Sequence, residues 1–425
     1  GRSWVRLGVT MIDALTTLWL VGLRDEFDEA QKWVEQKMDF NGDWHGKQSV
    51  FETTIRVLGG LLGAHSLSGR NTFLEKARDL GNRLLWAFEY NDGTGFPVPL
   101  VDVGTGEVGM GWTGSQVLLA EVGTLQLEFR YLSQHTGDPR YQEAVDKAMH
   151  SIVAASQGRG LVPYLLEGGA PRFANNKISM GAMGDTYYEY LLKMYIQTGK
   201  TEEEWLSPWL KAMQEMFDRL YFTTPTGFSY ISEEENGQPI HKMDHLACFV
   251  PAMVIEGVRH LPRHLTPSDW EEKCAAVTKT CYEMYHRQAS GLAPEFVWFR
   301  PPREGDPADM VVAEEAPFNL LRPEALESMY YMWYFTGDHK YREWAHEIML
   351  AFNRSARVEN GFSSVDDVRR EDPGIKDETE SFFFAETMKY MSLIFSPRET
   401  LDHEEFVFNS EAHPLRVWRK GAKDD

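Results

Sequence analysis

A short turn recurs along this chain at nearly constant spacing, and it constrains the fold more than any other feature. It reads LSGRNTF from Leu67, HTGDPRY from His135, QTGKTEE from Gln197, LTPSDW from Leu265 and FTGDHKY from Phe335. The Ser/Thr positions are 68, 136, 198, 266 and 336, so successive copies lie 62 to 70 residues apart. VGLRDEF from Val21 supplies the same punctuation earlier. Each copy follows an apolar helical stretch and precedes an amphipathic, charged one. A helix that is apolar nearly all round belongs in an interior, and one with a charged stripe belongs at a surface. The repeat is therefore a helical hairpin. Inner helices are predicted over 8–21, 50–66, 116–134, 183–197, 243–259, 323–335 and 379–395, and outer helices over 24–38, 71–90, 139–155, 202–220, 268–287 and 339–355. Seven inner and six outer helices predict an all-α, closed α/α toroid forming a single domain over 1–425, with a first outer helix missing from this chain.

The connections are unequal. Turns from inner to outer helices are a few residues long, whereas the returns are long and rich in Gly and Pro, as in the stretches beginning at Asn91 and Ala289. Loops beyond about 12–15 residues inside a compact domain are usually functional. The working face is expected at the long-loop end, where every inner helix begins.

Composition narrows the partners. The chain has 425 residues, 43% of them hydrophobic, which is enough to bury a substantial core. A formal charge of −21 argues against nucleic acid or an anionic membrane as partner. No apolar run reaches the roughly 18 residues of a membrane span. The opening GRSWVRLGVTMIDALTTLWLVGL carries no visible signal peptide. The three cysteines are too few for a disulfide scaffold. Cys274 and Cys281 share one helical pattern and lie about 10 Å apart at 1.5 Å per residue, too far to bridge. That leaves Cys248 to pair with either. One sequon, Asn353-Arg354-Ser355, points weakly to a secretory life.

The chemistry lies in acids at the starts of the inner helices. FETTIR sets Glu52 and Arg56 at i and i+4, GDTYYEY opens on Asp185, KMDHLACF offers Asp244 and His245, and LRPEALES carries Glu324 and Glu327. DETESFFFAET adds Glu378, Glu380 and Glu386, while Glu128 sits deeper in TLQLEFR. A single acid in a first turn merely complements the helix dipole. Many acids interrupting apolar inner helices are different, because buried carboxylates are costly unless paired or bound to a cation. Paired carboxylates are the machinery of glycoside hydrolysis, and clustered oxygen donors without Cys or His pairs suit a hard cation such as calcium. HExxH, Walker and GxSxG patterns are missing, and no GxGxxG stands in a Rossmann context. DDxxD-type and zinc-ligand sets are missing too, which removes toroidal terpene cyclases and prenyltransferases.

The blocks GVTMIDALTTLWLVGL, FETTIRVLGGLLGAHSLSG, GDTYYEYLLK, KMDHLACF, LAPEFVWF, LLRPEALES, ESFFFAETMKYMSLIFS and FNSEAHPL, in this order over residues 8–418, together resemble the class I α1,2-mannosidases, glycoside hydrolase family 47. The resemblance implies an (α/α)7 barrel plugged by a C-terminal β-hairpin. It implies an inverting, calcium-dependent exo-hydrolase that removes terminal α1,2-linked mannose from high-mannose N-glycans in the secretory lumen or after secretion, as a monomer without membrane contact by this domain. Glu52 and Asp185 match the two acids proposed to protonate the leaving oxygen, and Glu324 matches the general base. Arg56, Glu128, His245, Glu295, Arg322, Glu327, Phe382, Glu386 and Glu411 match residues that line the sugar pocket or hold calcium waters. Cys248 and Cys281 match the family disulfide. Ser410 stands where the family has a threonine that offers calcium a hydroxyl and a carbonyl.

Departures sharpen the expectation. Thr16 replaces an acid of the common DALDT. Met183 stands where members specific for one glycan branch carry arginine, so broad trimming of the Golgi or secreted fungal type is expected. The alternative is a mannosidase-like glycan-binding protein of glycoprotein quality control with weak hydrolysis. Retention of Glu52, Asp185 and Glu324 favours the enzyme.

Overall fold

The computed structural model describes residues 7–42, 46–90, 93–300 and 309–418; parts of the two long returns, 91–92 and 301–308, lie outside the described residues. The chain divides into two compact units. The first takes the described residues of Gly1–Asn176, Thr186–Lys211 and Leu401–Asp425, and the second those of Lys177–Asp185 and Ala212–Thr400.

In the first unit the inner helix Gly59–Ser68 is buried from Gly59 through Ala64 without a break, and Val9–Leu20 buries Ile12, Asp13, Leu15, Thr16 and Thr17. The outer helix Arg24–Gln36 buries only Phe27, Ala30 and Val34, one stripe at helical spacing. In the second unit the inner helix Glu324–Thr336 buries every residue from Ala325 to Trp333, while the outer helix Lys340–Ser355 buries a stripe running from Tyr341 through Ala345 and Ile348 to Phe352. The inner/outer alternation read from the sequence thus holds within each unit.

The recurring turn has a physical cause. Ser68, Thr136 and Thr336 each donate a side-chain hydrogen bond to the carbonyl four residues back, at 2.5, 2.7 and 2.5 Å. The same hydroxyls accept from the backbone N–H two residues on, at 3.3, 3.4 and 3.2 Å. Between them Gly69, Gly137 and Gly337 take φ of 69°, 71° and 77°, a left-handed stop that only glycine adopts without strain.

Strands, not helix, open two of the inner elements. Over the predicted 116–134 helix, Gln116–Leu118 pairs antiparallel with Leu165–Glu167, and helix follows as Leu119–Gly123 and Gln126–Thr136. Over 243–259, Lys242–Asp244 pairs with Phe296–Phe299, His245–Phe249 is 3-10, and α-helix starts at Val250. The long returns supply the partner strands, and a ladder between distant segments leaves no local period to read.

The C-terminal run folds as a hairpin, Phe406–Phe408 against Pro414–Arg416. Successive residues of its first strand do not alternate in exposure: Val407 and Phe408 are both fully buried. Ser410 sits in the turn and not on a strand face with Phe406 and Phe408. Glycines of the Gly59–Ser68 helix admit this turn. A Cβ on Gly59 would stand 2.5 Å from Asn409 Nδ2, and one on Gly63 would stand 3.0 Å from His413 Cβ.

Cys248 is bonded to Cys281, with Cα atoms 5.9 Å apart, and Cys274 is a buried free thiol. The sequon lies in the last turn of the Lys340–Ser355 helix. Its Ser355 is buried and donates to the Ser290 carbonyl at 2.7 Å, a poor setting for modification. No helix among the described residues is long and apolar enough to cross a membrane.

Candidate active site

Within the first unit, the strand Gln48–Ser49 pairs with Leu100–Val101 of the long return and delivers the chain to Glu52. Ser49 caps the turn by accepting from the Glu52 N–H at 3.2 Å. The helix then widens to a π-helical segment over Thr53–Leu58, a form concentrated at functional sites. Arg56 lies in it and is enclosed by acids. It binds Glu52 at 2.7 Å and Glu411 at 2.8 Å, with Asp13 at 3.6 Å. Burial opposes its charge, but the carboxylates of Glu411, Glu52 and Asp13 outweigh burial and raise the guanidinium well above its usual range. Asp13 also meets His413 Nε2 at 3.1 Å, and His413 Nδ1 meets the Thr16 hydroxyl at 3.0 Å. The Thr16 that departs from DALDT is thus a buried partner of the hairpin.

Three carboxylates around one guanidinium leave negative charge in excess, and two further acids lie in the same unit. Glu121, which the sequence reading did not single out, is pushed up to about 7 by burial and then by the charge of Glu52. Glu128 is fully buried and is also raised to about 7, chiefly by burial. Its Oε1 accepts from Tyr190 and from Asn409 Nδ2, each at 2.7 Å, while its Oε2 has no hydrogen-bond partner among the described residues. Burial raises the Tyr190 phenol, so it stays a donor.

Asn409 is the pin of this half. Its Oδ1 accepts from the N–H groups of Glu411 and His413, at 3.0 and 2.8 Å, and its Nδ2 also reaches the Ile55 carbonyl at 2.9 Å. Between the pinned residues Ser410 donates its N–H to Tyr190 Oη at 3.3 Å.

These donors were tested against the expected cation. Among the described residues no group of three or more His, Cys, Asp or Glu is arranged to hold a metal ion. With the His413 ring engaged by Thr16 and Asp13, the oxygens at the hairpin turn are the Ser410 hydroxyl and carbonyl, with Glu128 Oε2, which has no hydrogen-bond partner among the described residues, joined to the same turn through Asn409. A hard cation that keeps most of its waters fits such a set, and zinc or copper does not.

In the second unit a second group forms around His245. Its N–H donates to the Glu295 carbonyl at 2.8 Å, its Nδ1 meets Glu324 Oε2 at 2.8 Å, and its Nε2 meets the Tyr285 hydroxyl at 2.8 Å. Arg322 Nε spans both oxygens of Glu295 at 3.0 and 2.8 Å, and its guanidinium lies 5.6 Å from the centre of the Phe382 ring. Burial pushes the Glu324 carboxyl up, yet the hydrogen bond and charge of His245 and the charge of Arg322 bring it below the ordinary value. Glu295 goes the other way, because its burial exceeds the help from Arg322.

The turn before Glu324 is fixed by Leu321 at φ 64°, whose N–H donates to Asn319 Oδ1 at 2.8 Å and whose carbonyl accepts from Thr387 at 2.7 Å. Glu327 accepts from Tyr390 at 3.3 Å, and Glu386 lies buried in a second π-helical segment, Phe383–Thr387. Asp185 is the first residue of its helix, half-buried, with its N–H on the Gly181 carbonyl at 3.1 Å. Met183, just before it, holds φ 76°. In the second unit, positive φ at the non-glycine residues Met183 and Leu321 is strain of the kind that gathers at functional turns.

The model of glycosyl hydrolase family 47 matches residues 1–417. The chain belongs to glycosyl hydrolase family 47. Within this family it is 41% identical over 422 residues to the human endoplasmic reticulum mannosyl-oligosaccharide 1,2-α-mannosidase, a match that covers 98% of this chain and 59% of that protein. It is 40% identical to a mannosyl-oligosaccharide 1,2-α-mannosidase of Arabidopsis thaliana, covering 98% of this chain and 72% of that one. The chain thus spans about three-fifths of the length of the human relative. The α-1,2-mannosidase of Trichoderma reesei has the same fold, with a TM-score of 0.89 at 28% identity over 97% of this chain and 91% of that one. The family's mainly helical fold is therefore this chain's fold.

Five further side chains of these two groups were not singled out from the sequence. Glu121, Tyr190, Asn409, Tyr285 and Asp13 each act through a partner distant in sequence, and only Glu121 carried a local hint, an acid in an apolar run.

Proposed function

We propose that this chain is the catalytic part of an inverting exo-α1,2-mannosidase that trims terminal α1,2-linked mannose from high-mannose N-glycans. One observation carries the reading: a buried carboxylate, Glu324, held ionised by His245 and Arg322. The names of the relatives in family 47 point the same way. A carboxylate kept charged in spite of burial is what the base role in glycoside hydrolysis needs.

Glu324 is the proposed general base. It takes a proton from the water that attacks the anomeric carbon, and the proposed donor, Glu52 or Asp185, gives its proton to the leaving oxygen. The C–O bond to the leaving sugar breaks as the bond to water forms, so mannose leaves with inverted configuration. His245 and Tyr285 orient Glu324, and Arg322 with Glu295 and Phe382 forms the wall that accepts the sugar ring. Arg56 and Glu411 bind hydroxyls beside Glu52, and Glu327 and Glu386 are further proposed sugar-binding acids. The Ser410 hydroxyl and carbonyl would hold calcium, which when bound would supply positive charge against the surplus of carboxylates and orient sugar hydroxyls. Met183 provides no guanidinium, which supports broad arm trimming, and a secretory lumen is where such a glycan is met.

The test is digestion of a high-mannose glycan with and without a chelator, following released mannose and its anomer by NMR. The expected result is inverted mannose whose release stops on chelation and returns with calcium. Absence of release, or retained configuration, sinks the reading.

A further inference from the structure

The turn that launches Asp185 rests on a charged cluster that the proposed mechanism leaves unused. A Cβ on Gly181 would lie 2.8 Å from Asp244 Oδ2, so the Gly181 backbone and the Asp244 carboxylate are in direct contact. Asp244 in turn binds the Lys242 ammonium at 2.6 Å. Glu233 binds the same ammonium at 3.0 Å and Lys177 at 3.2 Å through its other oxygen. The Lys242 nitrogen also stands 4.4 Å from the centre of the Phe296 ring. Lys242 and Asp244 lie on one strand, whose register sets Asp244 opposite Phe296. His245, the partner of Glu324, follows directly.

An ammonium has three N–H donors. Two are taken by Asp244 and Glu233, and the side chain keeps 19% of its surface exposed. Burial works against its charge, but Asp244 and Glu233 outweigh burial and raise its pKa. The result is a cation immobilised in advance beside the Phe296 ring, with one donor not taken by a carboxylate among the described residues. Met183, on the same turn as Gly181, has no donor to offer. A mannose ring offers vicinal hydroxyls, which a fixed ammonium binds without a fresh loss of rotamer entropy.

We propose that Lys242 is a specificity-determining residue, its ammonium binding hydroxyls of a mannose beyond the scissile one and so deciding which glycan arm is trimmed first. This deepens the α1,2-mannosidase reading and rests on it. Lys242 acts on the reaction only through the extended substrate, so a small substrate and a branched one respond differently to its loss.

The experiment compares kcat/KM on a branched high-mannose glycan with kcat/KM on α1,2-mannobiose for wild type, Lys242→Gln and Lys242→Arg. Taking the ratio within one preparation cancels any fraction that fails to fold. The expected result is a ratio at least threefold lower in Lys242→Gln, with a changed order of arm products, and recovery in Lys242→Arg. A ratio in Lys242→Gln that falls by less than threefold overturns the inference, as does a fall that Lys242→Arg shares in full. Wild type inert on both substrates removes the mannosidase reading itself, which a lost ratio in an active enzyme does not.

Discussion

At the scale of residues, function depends on charges whose partners lie far along the chain. Glu324 stays ionised because His245 and Arg322 reach it, so Glu324→Gln removes the proposed base while keeping shape and hydrogen bonding. The expected loss in kcat is about 10²–10⁴-fold with KM little changed, read from initial rates. Ser410 tests the metal proposal. Ser410→Ala deletes one oxygen donor and should raise the calcium concentration for half-maximal activity about tenfold or more; an unchanged calcium titration argues against Ser410 as ligand. Most acids of the candidate site were legible as acids interrupting apolar helices, but their states were not. Nothing in DALTT tells that Thr16 meets His413, or in LAEVG that Glu121 feels the charge of Glu52.

At the scale of elements, the hairpin tip and the Gly59–Ser68 helix form one joint. Gly→Ala in a helix interior normally stabilises by about 1 kcal/mol. At Gly59 the added methyl would press on Asn409, whose bonds hold Glu411, His413 and Glu128. Overpacking typically costs about 1–3 kcal/mol, so Gly59→Ala should lower Tm and activity together, measured by thermal melts and mannose release. The disulfide fixes the segment just after His245 to the outer helix Trp270–His286 across a separation of 33 residues. Closing a loop of that length stabilises by about 4 kcal/mol in the chain-entropy account. Cys248→Ala with Cys281→Ala should therefore drop the urea midpoint, and an unchanged midpoint would show the bridge to be energetically idle. Helix boundaries were read well where an outer amphipathic pattern set them, as at Arg24–Gln36. They were misread where a long return paired as strand with the inner element, at Gln116–Leu118 and Lys242–Asp244.

At the scale of the whole molecule, buried acids tie stability to pH. Glu121 has its folded pKa raised to about 7, by burial and then by Glu52, against 4.5 for the free group. Between those values the folded state binds more protons than the unfolded one, so this group's contribution to stability falls as pH rises from about 4.5 to 7. Glu121→Gln abolishes that loss. Melts of chelated protein at pH 5 and pH 7.5 should show the variant gaining on wild type at the higher pH, and an equal difference at both would refute the assignment.

What the sequence determined by itself was the hairpin repeat, the inner and outer helices and the family, because each rests on local period and residue order. The Ser/Thr-Gly stop is written in two adjacent residues, and burial stripes repeat every three or four. Tertiary structure decided which acids are charged, where the helices open as π-turns or strands, and which cation stands beside Asp244. Those properties depend on desolvation and on partners tens to hundreds of residues away, and neither leaves a mark in local sequence.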